Sequence, residues 1–270
     1  KYLRFICKKL LLRMEKKERL QRYKDRVCLV TASSTGIGKA VATRFAEEGA
    51  TVIINSRKKA NVDPVVKELT DRGLKAVGFP ANVSNDKERQ AMVAFIKEKY
   101  GKLDVLIPNA AISLHFGRTL DTTASQFDKT ISVNLKSVFL LIQECYELLL
   151  KGTKPAVLLV SSYTAYQGES TLGIYAMTKT ALLGLTKVLA RELYEEGIRV
   201  NCIAPGLIKT EFSKELWEGK EKDSIDNLRL QRLGTVEDIA NATAFLCCEE
   251  ADYIVGETIL VAGMITQRLQ

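Results

Sequence analysis

Histidine is almost missing from this chain: His115 stands alone among 270 residues. A multi-histidine metal centre is thereby excluded, and a Ser-His-Asp triad would have to use His115, beside which nothing suggests one. The six cysteines (Cys7, Cys28, Cys145, Cys202, Cys247 and Cys248) form no Cys-x-x-Cys pair and mostly sit in apolar runs. They read as buried free thiols in a reducing compartment. No apolar run approaches the ~20 residues that a membrane span needs. Internal repeats, low-complexity segments and an interdomain linker are also lacking. So is net charge over most of the length. Residues 1–26 carry eleven Lys/Arg against three Asp/Glu, which accounts for the entire formal charge of +8. The remainder is neutral, which argues against a basic nucleic-acid groove on the folded body.

The basic stretch 1–26 therefore reads as an extension. Its first thirteen residues contain no acid and mix Lys/Arg with bulky apolar side chains. That composition suits a mitochondrial presequence or a membrane-surface helix, and equally a solvated helix or a partner contact. Residues 27–270, in a chain 46% hydrophobic, suffice for one large α/β domain.

The chemistry concentrates at Tyr175-Ala-Met-Thr-Lys179. Apolar residues at Ala181, Leu182, Leu185, Val188 and Leu189 follow a helical period. On that helix Tyr175 and Lys179 lie on one face, a turn apart. A free phenol titrates near about 10. An ammonium one turn away favours the phenolate and is expected to lower that value, making a general acid/base for a carbonyl or alcohol oxygen. A Tyr packed beneath a Lys stem has the same spacing. Ser161 and Ser162 end the apolar run 156–160, which reads as a buried strand, and thirteen residues separate Ser162 from Tyr175.

At the front, residues 27–31 read as a strand and Gly36-Ile37-Gly38 opens a helix to about Glu48. The second strand, over 49–55, completes a β-α-β unit of the nucleotide-binding kind. Glycines let backbone approach a pyrophosphate, and a helix N-terminus supplies N–H groups and a positive dipole end. The second strand ends in Asn55-Ser56-Arg57 where a carboxylate would select a ribose 2′-hydroxyl. Ser56 offers a hydroxyl and Arg57 can hold a phosphate in bidentate fashion, which points to NADP(H); the same residues could simply begin a solvated helix.

Tyr-x-x-x-Lys with Ser thirteen residues earlier, after Thr31-Ala32-Ser33-Ser34-Thr35-Gly36-Ile37-Gly38, resembles the short-chain dehydrogenase/reductase family over about residues 24–263. Four stretches resemble its dehydrogenase/reductase member 4 and member 2 branch: 55–63, 179–186, 199–210 and 253–258. The resemblance implies a single-domain, Rossmann-type, doubly wound parallel sheet of about seven strands with helices on both faces. It implies a homotetramer paired through the helices around 135–150 and 176–190. Carbonyl compounds are the implied substrates: retinal, ketosteroids, aromatic ketones and α-dicarbonyls.

Residue by residue, the resemblance makes Asn134, Ser162, Tyr175 and Lys179 the catalytic set, with Asn134 holding a water that relays protons to Lys179. It assigns the cofactor to Thr31, Ser33, Ser34, Gly36, Ile37, Gly38, Ser56, Arg57, Asn82, Val83, Asn109, Ala110, Tyr175, Lys179, Pro205, Gly206, Ile208 and Thr210. Ala32 replaces the family's first glycine, and Pro108 and Ala111 depart from Asn-Asn-Ala-Gly, which leaves the hydrogen bonding between strand ends open. Leu114, Phe116, Tyr163, Leu172, Leu207 and Trp217 are the expected apolar substrate pocket, with residues 207–232 as a mobile lid. Trp217 is either a pocket wall or the lid's anchor. His115 reads as a surface-loop histidine before a substrate contact. The C-terminal Arg268-Leu269-Gln270 displaces the peroxisomal tripeptide common in the branch, so an intracellular, mitochondrial address is favoured over a peroxisomal one, with the cytoplasm as an alternative. An NAD-dependent alcohol or hydroxysteroid dehydrogenase and a weakly catalytic nucleotide-binding regulator are the competing functions.

Overall fold

The computed structural model describes residues 21–219, 228 and 230–264. Most of the basic extension, Cys7, part of the expected lid and the C-terminal tripeptide lie outside the described residues. Seven strands form one parallel sheet: β1 (Val27–Val30), β2 (Thr51–Ser56), β3 (Ala76–Pro80), β4 (Val105–Ile107), β5 (Ala156–Val160), β6 (Arg199–Pro205) and β7 (Thr258–Val261). Their order is β3-β2-β1-β4-β5-β6-β7. The sheet and the helices packed on its two faces are the architecture expected above. The order in which strands are added reverses between β1 and β4, where doubly wound sheets open a crevice at the strands' carboxyl ends.

β1, β4, β5 and β6 are buried along their whole length. Helices cover both faces, so these strands read as continuous apolar runs. One face packs under α1 (Gly36–Glu47), α2 (Lys59–Asp71) and α9 (Val236–Leu246), through Val41, Phe45, Leu69 and Ile239. The other packs under α3 (Asp86–Tyr100), α5 (Ser137–Leu149) and α7 (Gly173–Leu193), through Met92, Leu141, Leu182 and Leu189. Between them in the chain lie α4 (Ala124–Ile131), α6 (Thr164–Gln167) and α8 (Lys214–Trp217).

Local chemistry sets the helix ends. The Asn85 side chain accepts from the Glu88 N–H at 3.2 Å, acids fill the first turn of α3, lysines its last, and Gly101 closes it in the left-handed region. Thr235 and Asp238 form a reciprocal capping box on α9. Arg232 grips Asp238 with two hydrogen bonds at 2.6 and 3.0 Å and holds its carboxyl down at about 2.

The sequence alone suggests a helix over 63–72; α2 instead begins at Lys59, ahead of Pro64. Val62 is fully buried, and its methyl stands where a Cβ on Gly78 would lie, 2.3 Å away. That packing draws the helix N-terminal of the proline. The body of the domain also starts before residue 27. Tyr23 is in the core, and Arg22 meets the buried Glu48 at 2.6 Å. The described cysteines, Cys28, Cys145, Cys202, Cys247 and Cys248, are buried and free.

Arg199, at the start of β6, donates to the carbonyls of Leu246, Cys248 and Ala251 at 3.0, 2.9 and 3.2 Å. One buried guanidinium thus satisfies carbonyls at the end of α9 and in the turn that follows it. Arg199→Met should lower unfolding free energy by about 3 kcal/mol, because buried acceptors lose their donor. Urea unfolding followed by circular dichroism measures this; a change under about 1 kcal/mol would show that water takes over the caps.

Candidate active site

A cavity of about 610 Å³ opens at the carboxyl ends of β1, β4, β5 and β6. Its floor is built where the sheet's hydrogen bonding runs out. Ser161 follows β5 and donates its hydroxyl to the Lys179 carbonyl at 2.7 Å, tying the strand end to α7. The Tyr163 N–H donates to the Pro205 carbonyl at 2.8 Å, joining the ends of β5 and β6. Ser162 between them is nearly buried, and its Oγ accepts from the Thr164 N–H at 3.2 Å and hydroxyl at 3.0 Å.

Tyr175 and Lys179 enter the cavity from the first two turns of α7. The Lys179 Nζ lies 5.5 Å from the Tyr175 ring centroid and donates to the Val160 carbonyl at 2.7 Å. The electrostatics differ from the expectation that Lys179 lowers the Tyr175 pKa. Burial dominates: the surrounding protein excludes the water that would solvate a phenolate, and Tyr175 is raised above the usual phenol value, opposed by a hydrogen bond from Ser162. Burial also lowers Lys179 to about 8, with Cys202 opposing. The arrangement therefore holds a protonated phenol beside a lysine that titrates near neutrality, with Ser162 supplying a hydroxyl at the same spot. It can give a proton to a developing alkoxide.

Asn134 is not in the cavity wall. It is fully buried in a single π-helical turn, Ser132–Lys136. Its amide accepts from the Ile112 N–H and donates to the Ile112 carbonyl, both at 2.8 Å, and also donates to the Thr178 hydroxyl at 3.2 Å. It clamps the loop after β4 to α7, next to Lys179.

On the β1 side, Gly36, Ile37 and Gly38 line the cavity. Thr35 precedes them without a side-chain cap, and no acid occupies the first turn of α1. Those amides and the dipole's positive end suit an anion such as a pyrophosphate. Gly36 has φ +56°, and a Cβ on it would meet only Thr210, at 3.6 Å. Asn109, Pro205, Gly206, Ile208 and Thr210 also line the cavity. Pro108 falls just beyond β4, and the Asn109 N–H reaches back across it to the Ile107 carbonyl at 2.9 Å. The strand ends keep their hydrogen bonds, since the Thr31 hydroxyl accepts from the N–H groups of Asn109 and Ala110 at 2.9 and 3.0 Å.

Two candidate cofactor contacts make hydrogen bonds inside the protein. Thr31 is occupied as just described. Ser33 is fully buried, donating to the Val30 carbonyl and accepting from the Asn55 N–H at 2.7 and 2.9 Å. Ser34 is half-buried and outside the cavity wall. Ser56 and Arg57 stand at the end of β2, Arg57 exposed, and Asn82 and Val83 follow β3. These four follow strands β2 and β3 at their carboxyl ends and do not line the cavity.

Of the expected pocket, Phe116, Tyr163, Leu172, Leu207 and Trp217 line the cavity. Leu114 does not; it is exposed, because the loop turns it outward. Trp217 serves as wall and anchor together: it lines the cavity and its Nε1 donates to the Thr210 carbonyl at 3.3 Å. His115 is outside, its Nε2 2.9 Å from the Arg118 carbonyl. Thr35, Ser113, Phe212 and Leu216 line the cavity without having been singled out from sequence. Thr35 was legible as the N-cap before Gly36, whereas Phe212 sits in an irregular stretch without period.

A family model described as enoyl-(acyl carrier protein) reductase matches residues 31–264. Dehydrogenase/reductase SDR family member 4 of Oryctolagus cuniculus is 44% identical over 247 residues, covering 91% of this chain and 95% of that one. Among solved structures, a short-chain dehydrogenase/reductase from Brucella melitensis superposes with a TM-score of 0.86 at 29% identity, covering 91% and 98%. An NAD(P)-dependent gluconate 5-dehydrogenase from Beutenbergia cavernae, solved with NADP at low occupancy, gives 0.83 at 26% identity, covering 89% and 96%. With the sheet order and the Tyr175–Lys179 geometry, these matches show that the chain belongs to the short-chain dehydrogenase/reductase family, close to its member 4 branch.

Proposed function

We propose that this protein is an NADPH-dependent carbonyl reductase. The observation that carries the reading is the convergence of Ser162, Tyr175 and Lys179 with the uncapped N-terminus of α1 in one cavity. The coarser statement, an NAD(P)-dependent oxidoreductase of this family, draws support from the relatives and from the NADP-bound neighbour.

The residues fit a dinucleotide. Gly36, Ile37 and Gly38 would hold its pyrophosphate, and Lys179 and Tyr175 would face the nicotinamide ribose beside Pro205, Gly206, Ile208 and Thr210. When bound, the reduced nicotinamide supplies the hydride that reaches the carbonyl carbon. The Ser162 hydroxyl orients the carbonyl oxygen. Tyr175 gives its hydroxyl proton to that oxygen as negative charge develops, so hydride and proton together convert C=O to CH–OH. Where it is charged, Lys179 offsets part of the penalty that burial places on the Tyr175 phenolate, without reversing it. Asn134 fixes the loop and helix on which this depends, by way of Ile112 and Thr178. The apolar lining from Phe116, Leu172, Leu207 and Trp217 favours ketones, retinoids, ketosteroids and α-dicarbonyls over sugars.

Tyr175→Phe should lower kcat for an α-dicarbonyl or an aromatic ketone by about a hundredfold or more, the range of general acid catalysis. NADPH oxidation followed by absorbance measures it, and near-normal turnover would reject the assignment. The pH dependence of kcat/KM follows from Lys179, the group that titrates first. Below about 8 it is an ammonium and assists Tyr175; above, it is neutral, so reduction should fall as pH rises through about 8. A profile flat to pH 10 would place the controlling charge elsewhere. At the end of β2 the solvent-exposed Arg57 is available to a 2′-phosphate. Arg57→Ala should raise the KM for NADPH by about tenfold while leaving that for NADH within about twofold, as a lost charge-assisted contact predicts. An equal effect on both cofactors would make the preference for NADPH untenable.

A further inference from the structure

One side chain in the cavity is placed as a binding surface would be, on a turn that its neighbours hold. Phe212 lies in the 3-10 turn Glu211–Ser213, immediately after Thr210. Its ring is 56% exposed although it lines the cavity. The ring centroid stands 5.8 Å from that of Tyr175, at an interplanar angle of 44°. The turn itself is held by its neighbour: the buried Ser213 hydroxyl donates to the Ile208 carbonyl and meets the Thr210 hydroxyl at 3.1 Å. Trp217 fastens the same segment through the Thr210 carbonyl. Phe212 is thus fixed in position by others while its own apolar face remains uncovered beside the proton donor. Phe116, 43% exposed, is a second phenyl in the same cavity.

We propose that Phe212 is a specificity-determining residue: its ring is the face against which the aryl group of an aromatic carbonyl substrate packs, and this contact seats the carbonyl at Tyr175. The proposal rests on the reductase reading. A phenyl already poised near the phenol ring lets an aryl group complete an aromatic cluster without ordering new backbone. A small aliphatic carbonyl reaches the same Tyr175 but gains little from that face.

Benzil and diacetyl present the same α-dicarbonyl with and without aryl groups. The ratio of their kcat/KM values with NADPH, for the unaltered chain and for Phe212→Ala, reads the contribution of the ring alone. The ratio should fall about tenfold in Phe212→Ala, the upper range of an aromatic pair with its buried area, and Phe212→Tyr, which keeps the ring, should restore it to within about threefold. A ratio unchanged within about twofold in Phe212→Ala overturns the proposal while leaving the reductase reading intact. Turnover of neither diketone by the unaltered chain rejects both. NADPH binding to Phe212→Ala, followed by fluorescence, should match the unaltered chain, and a loss there would assign Phe212 to the cofactor and overturn its role toward substrate.

Discussion

A parallel sheet buried on both faces must end its hydrogen bonding somewhere, and the polar groups left at that edge need partners. In this protein the constraint shapes the whole carboxyl-end surface. The Thr31 hydroxyl accepts the first amides after β4. Ser33 bonds across β1 and β2, while Asn55 donates to the Phe79 and Ala81 carbonyls at 3.1 Å and so holds the end of β3. Ser161 ties β5 to α7. Each of these side chains is buried and neutral, so it satisfies backbone without the desolvation cost of a charge. The result is a braced rim beside which Ser162, Tyr175, Lys179 and the first turn of α1 line the cavity. Pre-positioning of this kind lets a proton donor act without reorganising around it.

The same burial that braces the rim reverses the simplest electrostatic argument about Tyr175. A lysine one turn away should lower a phenol's pKa, and in water-filled surroundings it would. Inside the cavity the loss of water penalises the phenolate and the ammonium alike, so Tyr175 rises and Lys179 falls. For reduction this is the useful direction, since an acid must hold its proton until the alkoxide forms. Ser162, whose hydrogen bond favours the phenolate, then matters more to Tyr175 than the lysine's spacing suggests.

The sheet, its helices and the Tyr175–Lys179 face were legible in the sequence because they rest on periodicity and on short fixed offsets. What escaped depended on contacts between segments far apart. The start of α2 was hidden because Val62 packs against Gly78, sixteen residues on, and overrides Pro64. Thr31 and Ser33 match a cofactor-binding motif by position, yet their hydroxyls belong to partners 78 and 22 residues away. Leu114 and Phe116 share a loop with no period, so nothing local told which of them turns inward. Phe212 was missed for the same reason, and only the folded cavity gives it a neighbour in Tyr175.

The glycine-rich turn shows how a motif can lose a glycine and keep its geometry. Ala32 stands at φ +49°, in the left-handed region, at a cost of about 1 kcal/mol relative to glycine. Nothing forbids the methyl there; the cost is conformational alone. Gly38 is a different case. A Cβ on it would lie 2.3 Å from the Ala32 carbonyl oxygen and 2.6 Å from the Asn109 amide nitrogen. That amide donates to the Thr31 carbonyl at 3.0 Å and closes the gap between β1 and β4. A side chain at 38 would therefore push apart the turn and the strand end that together position the first-turn amides of α1. Of the glycines expected here, the one at 38 is required by contact and the one at 32 only by torsion. A chain can accept the torsional cost at 32 while the anion-facing backbone stays where it is.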